Sequence, residues 1–327
     1  MSTVAAVIPH WNRRDLLSEL LCNLRRQTRP FDEVIIADNG STDDSRELAA
    51  SLGARVIHLE RNFGFAAAVN RGVQSTQADW VSILNNDVTL NPDWLATLLE
   101  AVEHQNAWFG TGKILRANDP SVLDGTFDEL SLGACACRCG AGKPDSPFWN
   151  RPRRVQFTPM TAILMRRALF QRVGPLDESF GSYLEDVDFG LRCAVLGLDG
   201  VYAPSAVAYH KGSATLGKWS KDTVALLSRN QVLLTRKHFS GQNWRPILAG
   251  QLLWGLLALR NGRGLSYLRG KVSGVKAARV LSLKDAGPQA QERVRSLVTA
   301  SESQILEVQR QTGFDRYWRA YFWLLRR

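Results

Sequence analysis

Residues 79–88 read Asp79-Trp80-Val81-Ser82-Ile83-Leu84-Asn85-Asn86-Asp87-Val88. Asp79 to Leu84 is a β-favouring, mostly apolar run with an abrupt polar stop, which predicts a buried strand. Asn91-Pro92 follows and predicts a helix start, with Asn91 as N-cap and Pro92 at the first helical position. Two amides and a carboxylate then stand at the carboxyl end of a central strand, where open α/β sheets bind ligands. Asp87 is a hard anionic oxygen donor, suited to a Mg²⁺ or Mn²⁺ ion that also touches a diphosphate. Taken alone, Leu84–Val88 reads equally well as a polar loop around an Asx turn.

The surroundings of this stretch decide between the two. Val4–Ile8, Val34–Ala37 and Arg55–Leu59 are three further strand-like runs upstream. Asp15–Gln27 lies between the first two, with a helical stripe at Leu16, Leu17, Leu20, Leu21 and Leu24. Ser41-x-x-Asp44 predicts a capped helix through Leu52, and Phe65–Val73 a third helix. Strands separated by short helices imply parallel βαβ crossovers. The expected fold is therefore α/β, a mostly parallel, Rossmann-like sheet flanked by helices. Residues 110–160, rich in Gly, Pro, Cys and Arg, read as a long irregular loop. Ile163–Met165, Ala168–Val173 and Gly200–Tyr209 resume the pattern as strand, helix, and strand with loop.

The net charge of +10 is unevenly distributed. Residues 1–210 hold 20 Lys/Arg and 25 Asp/Glu, whereas residues 211–327 hold 21 and 6. The two parts therefore carry −5 and +15, which predicts an anionic partner, membrane or nucleic acid, for the last third. We expect a catalytic domain at 1–218 and a helical, basic, amphipathic region at 219–327. Within the latter, Val224–His238 reads as a helix. Ile247–Leu259 is apolar but too short to span a bilayer, and suits its surface or a core. The tail from Phe314 sets Phe314, Tyr317, Trp318, Tyr321, Phe322 and Leu325 on one helical face. That face fits a lipid interface or the protein's own core. The N-terminus enters a strand at once and is not read as a secretory signal. Five cysteines, an odd number, point to reduced thiols in a cytoplasm. The Cys135-x-Cys137-x-Cys139 cluster lacks a second ligand pair at zinc spacing.

Four features carry chemistry. Asp38 ends the second strand, where a carboxylate accepts from a pyrimidine N3–H or a ribose hydroxyl, or caps a loop. Arg61-Asn62-Phe63-Gly64-Phe65, with Asn70 and Gly72, makes a turn into a helix whose N–H groups could hold a nucleotide. Asn85-Asn86-Asp87 is the third. The fourth is Tyr183-Leu184-Glu185-Asp186-Val187-Asp188-Phe189, followed by His210. Three carboxylates in four residues are costly to assemble unless a cation or a proton transfer uses them. A helix opened by acids is the plainer reading.

Together, and in this order, these strings resemble family 2 inverting glycosyltransferases of the GT-A fold, especially their rhamnosyltransferase-like branch. The resemblance runs over roughly residues 3–240. It rests on Val7-Ile8-Pro9-His10-Trp11-Asn12, Ala37-Asp38-Asn39-Gly40-Ser41, Arg61-Asn62-Phe63-Gly64-Phe65, Leu84-Asn85-Asn86-Asp87-Val88, Glu185-Asp186-Val187-Asp188 and His210. It implies a nucleotide-sugar site in which Pro9, Asn12, Asp38, Asn62, Gly64, Asn70, Asn85 and Asn86 meet the donor. Asp87 and His210 would hold a divalent Mg²⁺ or Mn²⁺ ion. Position 85 is Asn where the family has the first Asp of its Asp-x-Asp motif, which leaves Asp87 as the triplet's carboxylate and raises the importance of His210. Asp186 matches the catalytic base, with Glu185 and Asp188 shaping the acceptor pocket or orienting it. The implied reaction moves a sugar, best guess L-rhamnose from dTDP-rhamnose, to a hydroxyl of a glycan or lipid-linked acceptor in cell-surface polysaccharide synthesis. The expected location is cytoplasmic, peripheral on an anionic inner membrane face.

Competing classes fare worse. A nicotinamide dehydrogenase needs Gly-x-Gly-x-x-Gly after the first strand, where this chain has Pro9-His10-Trp11-Asn12-Arg13-Arg14. No Walker lysine loop occurs. A family 2 enzyme using a UDP- or GDP-sugar is the nearest alternative. A non-catalytic nucleotide-sugar or nucleic-acid-binding protein using the basic third is the other.

Overall fold

The computed structural model describes residues 2–212, 219–239, 243–281 and 287–326. Its chain falls into two compact units, Met1–Phe127 with Gly140–Thr215, and Asp128–Cys139 with Leu216–Arg327.

The first unit opens with β1 (Val4–His10), α1 (Arg14–Leu24), β2 (Glu33–Asp38), α2 (Ser45–Ser51), β3 (Arg55–His58), α3 (Phe65–Gln74) and β4 (Trp80–Leu84). It continues with β5 (Val88–Leu90), α4 (Trp94–His104), β6 (Phe109–Arg116) and β7 (Asp119–Gly125). The strands β8 (Asp128–Leu130) and β9 (Ala136–Arg138) follow in sequence but belong to the second unit. The first unit ends with β10 (Arg153–Val155), β11 (Ala162–Arg166), α5 (Ala168–Arg172), α6 (Glu185–Val195) and β12 (Gly200–His210).

One sheet runs β10-β12-β6-β11-β4-β1-β2-β3, with β5 added to β12 and β7 to β6. Strands β3, β2, β1 and β4 are mutually parallel, the expected crossover pattern. The other half is mixed, because β11 enters antiparallel between β4 and β6. Strands β1 and β4 are buried along nearly their whole length, as strands covered on both faces must be. The leucine stripe of α1 is buried at Leu16, Leu17, Leu20, Leu21 and Leu24.

Two local expectations give way. The helix after Asp87 begins at Trp94, because β5 first pairs with β12 and Asn91 N–H donates to Val207 O at 3.0 Å. Within the stretch read as a loop, β6 is a central strand. Its glycines are there for closeness: a Cβ on Gly110 would meet Val102 Cγ1 at 2.5 Å, and one on Gly112 would meet Ala206 O at 1.7 Å.

The second unit adds α7 (Lys221–His238), α8 (Trp244–Arg260), α9 (Gly264–Val280), α10 (Gly287–Thr312) and α11 (Arg316–Leu324). The β8–β9 hairpin is tied to α10, with Leu130 N–H donating to Ser301 Oγ at 2.7 Å and Leu132 N–H to Glu302 Oε2 at 2.8 Å. The aromatic face of α11 turns inward. Trp318, Tyr321 and Phe322 are buried, and the Tyr321 hydroxyl donates to Glu302 Oε2 at 2.7 Å. The centre of the tail's stripe thus packs on its own unit, while Trp323 and Leu324 beside it are exposed. Cys135, Cys137 and Cys139 are also buried here, and burial pushes the Cys135 thiol up to about 11. Among the described residues no helix is long and apolar enough to cross a membrane.

Candidate active site

The functional side chains gather at the carboxyl ends of β1, β2 and β4 and at the end of β12. Register does the first part of the work: His10 ends β1 opposite Asp38, which ends β2. Asp38 is fully buried. Its Oδ2 lies 3.0 Å from His58 Nδ1, and both oxygens accept from Ser41 N–H at 3.3 Å. His10 is buried too, and burial drives its pKa down to about 4 against the pull of Asp38, Asp43 and Asp15. It is therefore neutral. Asn86 Nδ2 donates to His10 Nδ1 at 2.9 Å, which places the ring proton on Nε2. That Nε2 is buried with no hydrogen-bond partner among the described residues. An unmet donor of this kind costs about 1–3 kcal/mol, and a bound acceptor would relieve it.

Asp87 and His210 meet because β5 pairs antiparallel with β12, setting Val88 opposite His210, while Lys211 N–H donates to Asp87 O at 3.0 Å. His210 Nε2 lies 3.1 Å from Asp87 Oδ1, and Nδ1 lies 2.8 Å from Asp124 Oδ2. Burial alone would lower the His210 pKa. The Asp124 and Asp87 hydrogen bonds outweigh it and raise the value to about 9. Without a metal, the imidazolium itself is the cation between two carboxylates. Among the described residues no group of three or more His, Cys, Asp and Glu side chains is arranged to hold a metal alone. The fit is instead to a hard divalent ion with few protein ligands, completed by substrate phosphates and water. Asp87 Oδ1 and His210 Nε2 would be the donors for it, with Asp124 behind the ring to fix its tautomer and orientation, as carboxylates behind metal-bound histidines do. Asp124→Asn should therefore weaken Mn²⁺ affinity by about 10–100-fold, read by Mn²⁺ titration in the presence of nucleoside diphosphate. Unchanged affinity would remove His210 from the ligand set.

The turn before α3 supplies a second wall. Asn39 Nδ2 donates to Asn62 Oδ1 at 3.0 Å and to Gly64 O at 2.9 Å, while Asn39 Oδ1 accepts from Phe63 N–H at 2.9 Å. Gly64, at φ 94°, presses on the chain before α6. A Cβ there would meet Gly181 C at 2.7 Å. Ala66 N–H donates to Gly181 O at 2.9 Å, and Phe65 N–H to Ser182 Oγ at 3.1 Å. Tyr183 and Leu184 then adopt φ 72° and 66°. Two consecutive non-glycine residues in this region are strained, each by about 1–3 kcal/mol. Such strain is kept where it aims side chains, and here it launches α6 with Glu185 and Asp186 in its first turn.

The three carboxylates of α6 have different fates. Asp188 is buried and accepts from Arg192 Nε at 2.9 Å, while Arg192 also binds Val173 O and Pro175 O. It anchors the helix. Glu185 is buried, and that burial, with Asp186 and Asp188 beside it, pushes its carboxyl well above the usual range. Burial and these neighbours favour its protonated form, and its Oε2 has no hydrogen-bond partner among the described residues. Asp186 is only partly buried, with Oδ1 accepting from Val187 N–H at 2.8 Å.

Six of the residues named from sequence fall on one continuous path. Asn86 touches His10, His10 lies beside Asp38 and Asn39, Asn39 holds Asn62 and Gly64, and Gly64 abuts the turn that presents Glu185 and Asp186. Pro9 precedes His10 in β1, and Asn85 follows β4, its N–H donating to Thr161 O at 2.9 Å. Asn12 sits at φ 55° and accepts from Thr42 N–H at 2.9 Å, joining the loops after β1 and β2. Asn70 is placed differently. It is buried, with both amide ends engaged by Leu176 and Glu178, and staples α3 to that loop. Sequence reasoning overlooked His10, Asn39 and Asp124. The first two end predicted strands beside named residues, whereas Asp124 gives no signal before folding.

Residues 5–173 match the profile of Glycosyl transferase family 2, and the chain belongs to that family. It is 30% identical over 269 residues to the N-acetylglucosaminyl-diphospho-decaprenol L-rhamnosyltransferase of Mycobacterium tuberculosis, covering 75% of this chain and 87% of the relative. Its fold is similar to that of GalNAc-T7 with UDP, GalNAc and Mn²⁺ (TM-score 0.67, 12% identity), over 96% of this chain and 58% of that one. It is also similar to the mannosyltransferase PcManGT from Pyrobaculum calidifontis in complex with GDP-Man and Mn²⁺. There the TM-score is 0.55 at 16% identity, covering 98% of this chain and 86% of that one. These likenesses place the catalytic unit in the GT-A fold.

Proposed function

We propose that the chain is an inverting, divalent-metal-dependent glycosyltransferase. It takes a sugar from a nucleoside diphosphate, with dTDP-L-rhamnose the favoured donor, and passes it to a hydroxyl of a lipid-linked or glycan acceptor. The reaction would serve cell-surface polysaccharide synthesis at the cytoplasmic face of a membrane. The observation that carries this is the unbroken contact path from the Asp87–His210 pair through His10 and Asn39 to Asp186. The rhamnosyltransferase relative supports the choice of sugar and of lipid-linked acceptor.

Asp38 would receive the base or ribose, and the neutral His10 Nε2–H would donate to a donor oxygen. Asp87 and His210 would hold the metal. When bound, a divalent ion neutralises charge developing on the departing diphosphate. Asp186 takes the proton of the acceptor hydroxyl as that oxygen attacks the anomeric carbon opposite the leaving group. One base and one displacement invert the configuration. Glu185, whose burial favours the protonated form, would donate a hydrogen bond to the acceptor. A thermal-shift and donor-hydrolysis screen of nucleotide sugars, with and without Mn²⁺, tests the reading. Stabilisation by dTDP-rhamnose only with metal is the expected result. Preference for a UDP- or GDP-sugar would replace the donor, and silence towards all donors would sink the reading.

A further inference from the structure

We propose that the α8–α9 hairpin is a membrane-docking face, whose exposed apolar side enters the surface of an anionic lipid bilayer. The reason lies in an inverted helix. A helix on a soluble unit normally turns its large apolar side chains inward. Helix α9 buries Ser266, Gly270 and Gly274 instead. These small residues let α9 close on α7: a Cβ on Gly270 would stand 2.3 Å from Ala225 O, and one on Gly274 2.7 Å from Arg229 O. The large residues are left outside. Leu265, Leu268, Val272 and Val275 are 47–62% exposed.

Helix α8 adds a matching stripe. Trp244, Leu248, Leu252, Leu256 and Leu259 are 47–64% exposed and recur at helical spacing over its full length. The two helices run antiparallel, in contact through Gly255 and Tyr267, with the Tyr267 hydroxyl donating to Gln251 O at 3.0 Å. At 100° per residue, each stripe turns the same way from that contact line. In an antiparallel pair this puts both on one side of the hairpin.

Charge selects the occupant. Residues 244–280 contain seven Lys and Arg and no Asp or Glu. Arg245, Arg260, Arg269, Lys276 and Arg279 are exposed around the apolar stripes. A second copy of the chain would bring these cations against its own. An anionic bilayer takes up the leucines and valines, lets the tryptophan rest at the headgroups, and pairs the arginines with phosphates. The sequence left both the tail's aromatic face and Ile247–Leu259 to a bilayer surface or a core; the structure buries Trp318, Tyr321 and Phe322 of the first and exposes the leucine stripe of the second. The inference shares with the proposed function only the lipid-linked acceptor, and its test uses no transfer activity.

The test is flotation of the full chain with phosphatidylcholine vesicles, with and without phosphatidylglycerol, at low and high salt. Two quadruple variants accompany it: L252Q/L256Q/L268Q/V272Q and R260Q/R269Q/K276Q/R279Q. All substituted side chains are exposed, so an unchanged melting temperature should confirm the fold. The wild type should float with the anionic vesicles, and each variant should lose at least about tenfold in vesicle affinity. No flotation of the wild type, or equal flotation of the apolar variant, would overturn the proposal. So would a wild-type dimer in light scattering that the apolar variant turns into a monomer without any lipid binding, since the face would then be a self-interface.

Discussion

Replacing Asp186 by Asn should lower the rate of sugar transfer by at least about 10²-fold, or about 2.7 kcal/mol of barrier, with donor affinity little changed. The substitution keeps shape and removes the proton acceptor. Its environment makes the outcome specific. Of the three carboxylates opening α6, Asp188 is committed to Arg192, and Glu185 is buried with its carboxyl pushed well above the usual range, whereas Asp186 is partly exposed. Glu185→Gln is the natural companion, because it keeps shape and hydrogen bonding at the buried position. It should cost far less than Asp186→Asn. Steady-state kinetics with calorimetric donor binding separate the cases. Near-normal turnover in Asp186→Asn would take Asp186 out of the mechanism.

Replacing Asp87 by Ala should weaken Mn²⁺-dependent donor binding by about 10²-fold or more. Supporting groups behind a metal ligand are typically worth 10–100-fold, and the ligand itself stands at the upper end or beyond. The substitution leaves His210 with Asp124, so the end of β12 keeps one ionic partner. Calorimetry of nucleoside diphosphate binding with Mn²⁺ and with EDTA gives the answer. Affinity that is the same in wild type and variant, and the same with chelator, would contradict a metal at Asp87.

The parallel half of the sheet was readable because β1 and β4 are buried on both faces and its first helix repeats leucine at helical spacing. The strand read at Asp79–Leu84 matched to within one residue. The antiparallel half was not, and β6 shows why. Gly110 and Gly112 look like loop residues in one dimension and are close-packing residues in three, since α4 and β12 approach within the space of a Cβ. Asn91-Pro92 misled for a related reason: pairing of β5 with β12 claims Asn91 before the helix can start. In the site, Asp38, Asn62, Asn86, Asp87, Asp186 and His210 stood out by type and by position at strand or turn ends. Asn70 stood out too, but its amide joins α3 to the loop at Leu176. The role of Asp124 and the raised pKa of Glu185 depend on which groups folding brings together, which no local string encodes.

The position of β11 also governs the order in which the molecule can be made. Strands β1 to β4 emerge first and carry their own helices, yet the outer edge of β4 has no partner until residues 162–166 exist. Strand β6 can pair its Ile114–Arg116 end with β7 at once, but its Phe109–Thr111 end waits for β11 and its other edge for β12. A chain still in synthesis therefore holds an open, apolar strand edge through the whole 85–161 stretch, and such edges are templates for pairing with other chains. Closure of the sheet is a late event on the ribosome, set by where one short antiparallel strand lies in the sequence.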